Sequence, residues 1–156
     1  MQTRKIMNDE IFMKKAIELS ALAVKHGNEP FGAVLVKDNK IVYTNENQIY
    51  SANDPTFHAK LGLIRRFCDE THITDLSDYT LYSSCEPCFM CSGAIVWSKL
   101  GRLVYAASNI DLNNILHDEG CNCSQMVFDH SPFYPQVTAG VLKEESLKIL
   151  KAYFSK

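Results

Sequence analysis

The sequence of 156 residues has no long apolar run, little glycine or proline, and no excess of one charge. Its longest apolar stretches, such as 31–36, have about six residues, whereas a membrane-spanning helix needs about 20. The seven glycines and five prolines exclude a collagen-like chain. The first residues also lack the apolar core of a secretory signal. We therefore expect no membrane association and a cytoplasmic location.

The charges are nearly balanced, with 16 Lys and Arg against 18 Asp and Glu. Proteins that hold polymeric nucleic acid usually carry a basic surface, and here the basic residues are scattered. The charge pattern therefore favours a small-molecule partner over nucleic acid.

The hydrophobic pattern predicts one domain over residues 1–156. A first helix is expected at 9–26, with Asn8 as its N-cap and Gly27 just beyond its end. Further helices are expected at 56–68, 87–99 and 144–154, and strands at 31–36, 41–43, 80–82, 103–106 and 137–141. Residues 109–135 are expected to be irregular. This order predicts an α/β fold, a three-layer sandwich in which helices cover both faces of a mixed sheet.

Six cysteines are the first unusual feature: Cys68, Cys85, Cys88, Cys91, Cys121 and Cys123. Without a signal peptide, this density indicates metal or redox chemistry rather than a disulfide framework. Cys88 and Cys91 form a Pro-Cys-x-x-Cys pair at the start of a predicted helix, where the helix dipole favours thiolates. With His58 they make three zinc ligands and leave the fourth position of a tetrahedral, catalytic zinc open.

Other interpretations of the cysteines stay open at this point. Cys85, Cys88 and Cys91 have a spacing used by iron–sulfur clusters, but the usual fourth Cys followed by Pro is missing nearby. Cys121 and Cys123 could complete a closed Cys₄ structural zinc. Otherwise Cys85 is expected in a pocket wall, Cys68 in the core, and Cys121 and Cys123 as exposed thiols of a long loop.

Two segments resemble the zinc-dependent nucleobase deaminases of the cytidine-deaminase-like superfamily. They are Asn-Asp-Pro-Thr-Phe-His-Ala at 53–59 and Ser-Ser-Cys-Glu-Pro-Cys-Phe-Met-Cys at 83–91, and Pro-Phe-Gly-Ala-Val at 30–34 also matches. The resemblance covers roughly residues 9–120. It is closest in style to the bacterial guanine deaminases, with the tRNA adenosine deaminases as near relatives.

The resemblance implies zinc held by His58, Cys88 and Cys91, and hydrolytic deamination of a free base such as guanine. It also implies a homodimer in which the segment 137–156 is exchanged, so that an aromatic residue of the last helix closes the partner's site. For Tyr153 and Phe154 the competing interpretation is ordinary helix packing. The positions that the resemblance places around the base are Phe31, Asn47, Glu86, Pro87, Glu119, Tyr153 and Phe154.

The sequence departs from the family pattern at one position. The family's His-Ala-Glu is His58-Ala59-Lys60 here, and that Glu is the residue that carries protons between water, ring nitrogen and leaving amine. A lysine with its ordinary pKa of about 10.4 is protonated, so it donates a proton but cannot accept one. The positive charge of a metal ion next to Lys60, together with desolvation, could bring that pKa down to about 7–8.

Four interpretations of Lys60 follow. In the first, the protein has lost deamination activity and binds zinc and a base-like ligand or partner. In the second, it is a working variant in which Lys60, or a carboxylate such as Glu119, moves the proton. Alternatively, Lys60 is a single-base change from a Glu codon, or the His58 alignment is displaced and Lys60 is a solvated helix residue. Lys60 could also pair with Glu86 or Glu119 and stay a cation.

Overall fold

A five-stranded sheet lies between two helical layers in the computed structural model, which describes residues 2–155 without the side chains of residues 2, 3 and 5–7. The strands are β1 (Gly32–Lys37), β2 (Lys40–Glu46), β3 (Thr80–Cys85), β4 (Arg102–Ala107) and β5 (Gln136–Ala139), in the order β2-β1-β3-β4-β5. β1 pairs antiparallel with β2 and with β3, whereas β3, β4 and β5 are mutually parallel. The prediction of a mixed sheet is confirmed.

Six helices cover both faces of this sheet. They are α1 (Gln2–Lys25), α2 (Ala59–Thr71), α3 (Phe89–Trp97), α4 (Asn109–Leu116), α5 (Cys123–Asp129) and α6 (Lys143–Phe154). Alternate strand residues point to opposite faces. Leu35, Leu81 and Leu103 pack with α2 and α3, whereas Val34 and Val104 pack with α1. The three-layer α/β sandwich is therefore confirmed.

The first helix is longer than predicted at its amino end. It begins at Gln2, so Asn8 lies inside the helix and its prediction as N-cap is wrong. Asn is only a moderately poor helix former, and the preceding Arg, Lys and Met residues favour the helix. The end agrees better, because the helix stops at Lys25 and Gly27 follows with a φ of +84°.

Helix α1 packs directly on β1 at Gly32. A Cβ at this position would collide with the main-chain oxygen of Ala16 and the amide of Ser20, so glycine permits the close approach. The helix therefore fixes the start of β1, next to Pro30 and Phe31.

A buried polar cluster joins α1 to the middle of the sheet. The Asp9 carboxylate accepts hydrogen bonds from Arg102 Nη1 and Nη2 at 2.8 and 2.7 Å and from the Tyr82 hydroxyl at 2.6 Å. Burial, followed by the bond to Asp9, raises the pKa of Tyr82. The cluster connects the first helix to β3 and β4.

The expectation of an irregular 109–135 segment is wrong, because α4 and α5 form there. Helix α4 begins with a capping box: Asp111 N donates to Ser108 Oγ at 3.0 Å, and Ser108 N donates to Asp111 Oδ2 at 2.9 Å. The Ser-x-x-Asp spacing was a readable helix signal. Helix α5 has only seven residues, which is too short to show helical periodicity.

The remaining boundaries differ from the predictions by a few residues. Helix α2 starts at Ala59 rather than 56, since His58 is extended as its N-cap, and α3 starts at Phe89, since Cys88 is extended as its N-cap. Strand β2 covers Lys40–Glu46 rather than 41–43, and its hairpin turns through Asp38 and Asn39, which both have positive φ. No helix in the described part of the chain is long and apolar enough to cross a membrane.

Candidate metal centre and base pocket

Two helix N-termini bring His58, Cys88 and Cys91 together. His58 is the N-cap residue of α2 and Cys88 is the N-cap residue of α3, and Cys91 follows in the first turn of α3. The Cys91 amide donates to Cys88 Sγ at 3.5 Å. The predicted ligands therefore meet although 30 residues separate His58 from Cys88.

The geometry of these three side chains fits a zinc ion. Their ligand atoms all lie within 4.8 Å of one another. The distances from His58 Nδ1 to Sγ of Cys88 and Cys91, 3.5 and 3.8 Å, match the edge of about 3.6 Å of a zinc tetrahedron with bonds of about 2.1 and 2.3 Å. Two thiolates and one imidazole leave one position for water or substrate, as in catalytic zinc sites.

The two thiols influence each other strongly. A hydrogen bond from Cys91 lowers the pKa of the Cys88 thiol to about 3, and the contact with His58 adds to this effect against the burial of the site. The same bond and burial raise the pKa of Cys91, which is the donor. The hydrogen bond therefore favours the thiolate form of Cys88, and a thiolate is the form that binds metal.

A small pocket of about 230 Å³ lies beside this group and is lined by two of its members, His58 and Cys88. This volume is below the range of about 300–1,000 Å³ typical of drug-sized ligands, so it suits a single base-sized ring. The wall is mostly apolar, and its lining residues are Glu29, Phe31, His58, Lys60, Cys85, Glu86, Cys88, Asn109, Leu112, Leu116 and Phe154.

Lys60 lies in this lining, in the first turn of α2, and is 4% exposed. Its Nζ lies 5.4 Å from the centroid of the Phe31 ring. Among the described residues no carboxylate forms an ion pair with it, so the suggested pairing with Glu86 or Glu119 is not found. The ammonium faces the pocket as a hydrogen-bond donor.

The carboxylate of Glu86 also belongs to the lining, but it is engaged in hydrogen bonds with neighbouring residues of the protein. It accepts hydrogen bonds from Asn109 N at 3.0 Å, from Ser124 N at 3.3 Å and from Ser124 Oγ at 2.6 Å. Asn109 and Ser124 lie in the first turns of α4 and α5, where amides lack intrahelical partners. Glu86 therefore positions the two helices that form one side of the pocket.

Phe31 and Phe154 form an aromatic wall, with ring centroids 6.3 Å apart. Helix α6 packs on α4 and β4, so Phe154 lies at the pocket of its own chain. The Tyr153 ring packs edge to face on the Phe154 ring, with ring centroids 4.8 Å apart. Tyr153 is not part of the lining. The exchange of segment 137–156 stays a prediction, and residue 156 of that segment lies outside the described residues.

Besides Tyr153, three more of the predicted base-contacting residues do not line the pocket. Asn47 is buried, and its Oδ1 accepts a hydrogen bond from Ile49 N at 3.2 Å. Pro87 contributes its carbonyl as acceptor for Ser92 Oγ and Asn109 Nδ2. Glu119 is exposed in the loop between α4 and α5. Their roles toward a base stay predictions.

Sequence reasoning missed Glu29, Asn109, Leu112 and Leu116. The last three belong to α4, in the segment that was expected to be irregular, so their place in the pocket was not predicted. Glu29 directly precedes Pro30-Phe31, and this closeness to a predicted lining residue was the only available signal. Burial raises the pKa of the Glu29 carboxyl, and the charge of nearby His58 acts in the opposite direction.

The other cysteines stand apart from the metal group in the described structure. Cys85 is buried in the pocket wall as expected, and burial raises its pKa to about 11. Cys68 is half-buried beside the core formed by α2 and α3. Cys121 and Cys123 are also half-buried rather than exposed, with Cys123 Sγ 3.7 Å from the Cys121 carbonyl oxygen. Neither of them joins His58, Cys88 and Cys91, so a closed Cys₄ site does not form there.

Comparison with known proteins fits this geometry. The model of the cytidine and deoxycytidylate deaminase zinc-binding region matches residues 6–107, which include all three metal-binding candidates. The chain belongs to this deaminase family. The sequence resemblance to zinc-dependent deaminases, and the expectation of a zinc cofactor, are thereby confirmed at the level of the family.

Individual members of the deaminase family show how far the likeness extends. Guanine deaminase of Bacillus subtilis is 44% identical over 106 residues, which are 67% of this chain and 68% of that protein. A tRNA-specific adenosine deaminase of Rickettsia felis is 30% identical over 146 residues, 92% of this chain and 99% of that protein. The structure of a guanine deaminase from Nitrosomonas europaea superposes with a TM-score of 0.80 at 25% identity, covering 94% of this chain and 85% of that one.

Proposed function

We propose that this protein is a zinc-dependent aminohydrolase that deaminates a free nucleobase, with guanine as the first candidate. The observation that carries the proposal is the group of His58, Cys88 and Cys91, which suits a zinc ion with one open coordination position and lies beside a base-sized pocket that His58 and Cys88 line. The likeness to the Bacillus subtilis guanine deaminase supports the choice of base. A homodimer and a cytoplasmic location are predictions that accompany this proposal.

When bound by His58, Cys88 and Cys91, zinc supplies Lewis-acid activation of a water molecule near neutral pH. The chain's own residues hold the base. The rings of Phe31 and Phe154 offer an aromatic wall, and stacking on such a surface is worth about 1–3 kcal/mol per base. Buried Cys85 and the side chains of Leu112 and Leu116 add apolar surface to the remaining sides.

Lys60 stands at the position where the resemblance places the acid/base glutamate. Its ammonium can donate a hydrogen bond to a ring nitrogen or to a departing amine, but it cannot take the proton of the attacking water while it is charged. The native protein is therefore expected to be a slow enzyme. Loss of a general base typically costs about 10²- to 10⁴-fold in rate.

The decisive test measures ammonia release from guanine, adenine and cytosine by zinc-loaded native protein and by Lys60→Glu. We expect slow release from guanine by the native protein and a rate about 10²- to 10⁴-fold higher for Lys60→Glu. Lys15→Glu, on the exposed side of α1, is the control for the change in charge and is expected to match the native protein.

Two outcomes would change this interpretation. If the native protein releases ammonia and Lys60→Glu does not, Lys60 belongs to an altered but working mechanism. If neither protein releases ammonia, the deaminase proposal is overturned.

A second candidate is a deaminase homologue that binds zinc and a base-like ligand without turnover. Lys60 favours this candidate, because its Nζ has no ion-pair partner among the described residues and can donate a hydrogen bond to an oxo group of a bound ligand. Tight binding of a base by the zinc-loaded native protein, with no ammonia from any base, would support this candidate.

A third candidate is a tRNA adenosine deaminase, favoured by the Rickettsia felis relative that aligns over nearly its whole length. The net charge of −2 argues against a polyanionic substrate. Conversion of adenosine in tRNA by the zinc-loaded protein, with no action on free bases, would establish it.

A further inference from the structure

One carboxylate of the pocket lining, that of Glu29, has no hydrogen-bond or ion-pair partner among the described residues. Glu29 lies in the loop between α1 and β1, is half-buried, and lines the pocket together with His58, Lys60 and Phe31. Among the described residues, no hydrogen-bond donor and no cation contacts its side chain within bonding distance. Glu86, the other carboxylate of the lining, is in contrast occupied by three donors.

The loop that carries Glu29 is held firmly. The neighbouring Asn28 is 1% exposed, and its Oδ1 accepts hydrogen bonds from Tyr50 N and Ser51 N, both at 3.0 Å. Asn28 Nδ2 also donates to Ser51 Oγ at 3.0 Å. On the other side, Phe31 N donates to the Glu29 carbonyl at 2.9 Å. Glu29 is thus presented to the pocket by a fixed backbone, which lowers the entropic cost of binding through its side chain.

Partial burial of a carboxylate without a hydrogen-bond partner costs free energy, and a ligand that supplies hydrogen-bond donors offsets that cost. Burial raises the pKa of the Glu29 carboxyl, and the charge of His58 opposes that shift. Because Glu29 and the metal-binding His58 share one small pocket, a base bound over the metal group would present its reacting edge to both.

We propose that Glu29 determines specificity by accepting a hydrogen bond from a ring N–H next to the amino-bearing carbon of the bound base. This inference rests on the function proposed above and identifies the class of base. Guanine has such an N–H beside its amino carbon. Adenine and cytosine have a ring nitrogen with a lone pair beside theirs, which a carboxylate repels. The site therefore selects bases that combine the amino group with an adjacent ring N–H.

The test compares guanine with 2-aminopurine, which has the same amino group but lacks the 6-oxo group and has a lone pair in place of the ring N–H; the loss of the oxo group is common to native protein and variant, so the change on substitution reports the ring N–H. The fluorescence of 2-aminopurine reports its own binding to zinc-loaded protein, and guanine is measured by displacing it. For native protein we expect the affinity for guanine to exceed that for 2-aminopurine. In Glu29→Gln that preference should fall by about 10- to 100-fold, the usual value of a hydrogen bond to a charged acceptor.

The change must lie in guanine binding. A neutral amide still fills the space and can donate to a lone pair, so 2-aminopurine should bind Glu29→Gln as well as the native protein or better. Glu10→Gln, exposed on α1, is the matched control and should leave both affinities unchanged. Zinc content of each variant is measured in parallel to exclude an effect through the metal group.

The outcomes distinguish a failure of the role of Glu29 from a failure of the proposed function. Equal weakening of both bases by Glu29→Gln, or no change in the preference, overturns the role of Glu29 and leaves the proposed function standing. If native protein binds neither base, the proposed function fails, and the role of Glu29 fails with it.

Discussion

The residues around the metal group differ in how many other residue types could take their place. His58 and the two cysteines have few possible replacements, because zinc requires nitrogen or thiolate ligands at fixed distances. Lys60 and Glu29 line the same pocket and differ in the sign of their charge. Substitutions at either position therefore change the chemistry of the pocket more than its shape.

Replacement of one ligand tests the metal group directly. His58→Ala removes one of three protein ligands and is expected to lower zinc affinity by more than about 100-fold, since loss of even an outer-shell partner costs about 10- to 100-fold. Metal content after dialysis against a competing chelator measures the effect. Cys121→Ser is the matched control, because Cys121 lies outside the group, and it should retain a full equivalent of zinc. Zinc retained by His58→Ala but lost by Cys121→Ser would instead indicate a cysteine-only site.

At the scale of elements, α4 and α5 depend on one side chain of the strand-to-helix connection. Glu86 accepts hydrogen bonds from both helix N-termini, and α4 in turn supplies Leu112 and Leu116 to the pocket. The wall of the pocket is therefore formed by elements that a buried carboxylate aligns.

Ser124→Ala tests this alignment with little change in volume. It removes the 2.6 Å bond from Ser124 Oγ to Glu86 and is expected to lower the free energy of unfolding by about 1.5–3 kcal/mol, as for hydrogen bonds to charged groups. Urea unfolding measures the loss. Ser131→Ala provides the control, because that hydroxyl donates only to the Val127 carbonyl within its own turn, and its effect should be smaller.

The same elements show what the sequence could and could not predict. Strands β1 and β3 and helix α3 were predictable, because apolar runs and a Pro-Cys-x-x-Cys segment are local signals, and the same holds for His58 with its Pro-Thr-Phe-His context. Helix α4 was predictable from the capping box of Ser108, a signal that was overlooked, whereas α5 is too short to show a helical pattern. Glu29 was missed because its role depends on a long-range contact between the α1–β1 loop and α2. Helix α6 was predicted, but not the wall that Phe154 forms with Phe31.

At the scale of the whole molecule, the Asp9 cluster holds the first helix against the sheet. Residues 9, 82 and 102 are far apart in sequence, and their hydrogen bonds connect α1, β3 and β4 in one buried network. Networks of this kind stabilise a fold only when every partner is present.

Removal of a single hydroxyl measures the value of this network. Tyr82→Phe deletes the 2.6 Å bond to Asp9 and is expected to lower the free energy of unfolding by about 1.5–3 kcal/mol. Tyr43→Phe makes the same chemical change at the surface, where the hydroxyl donates to Glu70, and should have a much smaller effect. Equal effects of the two substitutions in urea or thermal unfolding would show that the buried network contributes nothing special.

Phe154, which forms part of the pocket wall, is the last residue of α6. Terminal helical turns open and close within nanoseconds to microseconds, far faster than domains rotate about hinges. A base could therefore leave when a single turn of helix frays, without movement of the sheet or of the metal-binding helices. Because this opening is fast, we expect the residence time of the base to depend on the fraction of time for which that turn is open, and to shorten on warming as that fraction grows.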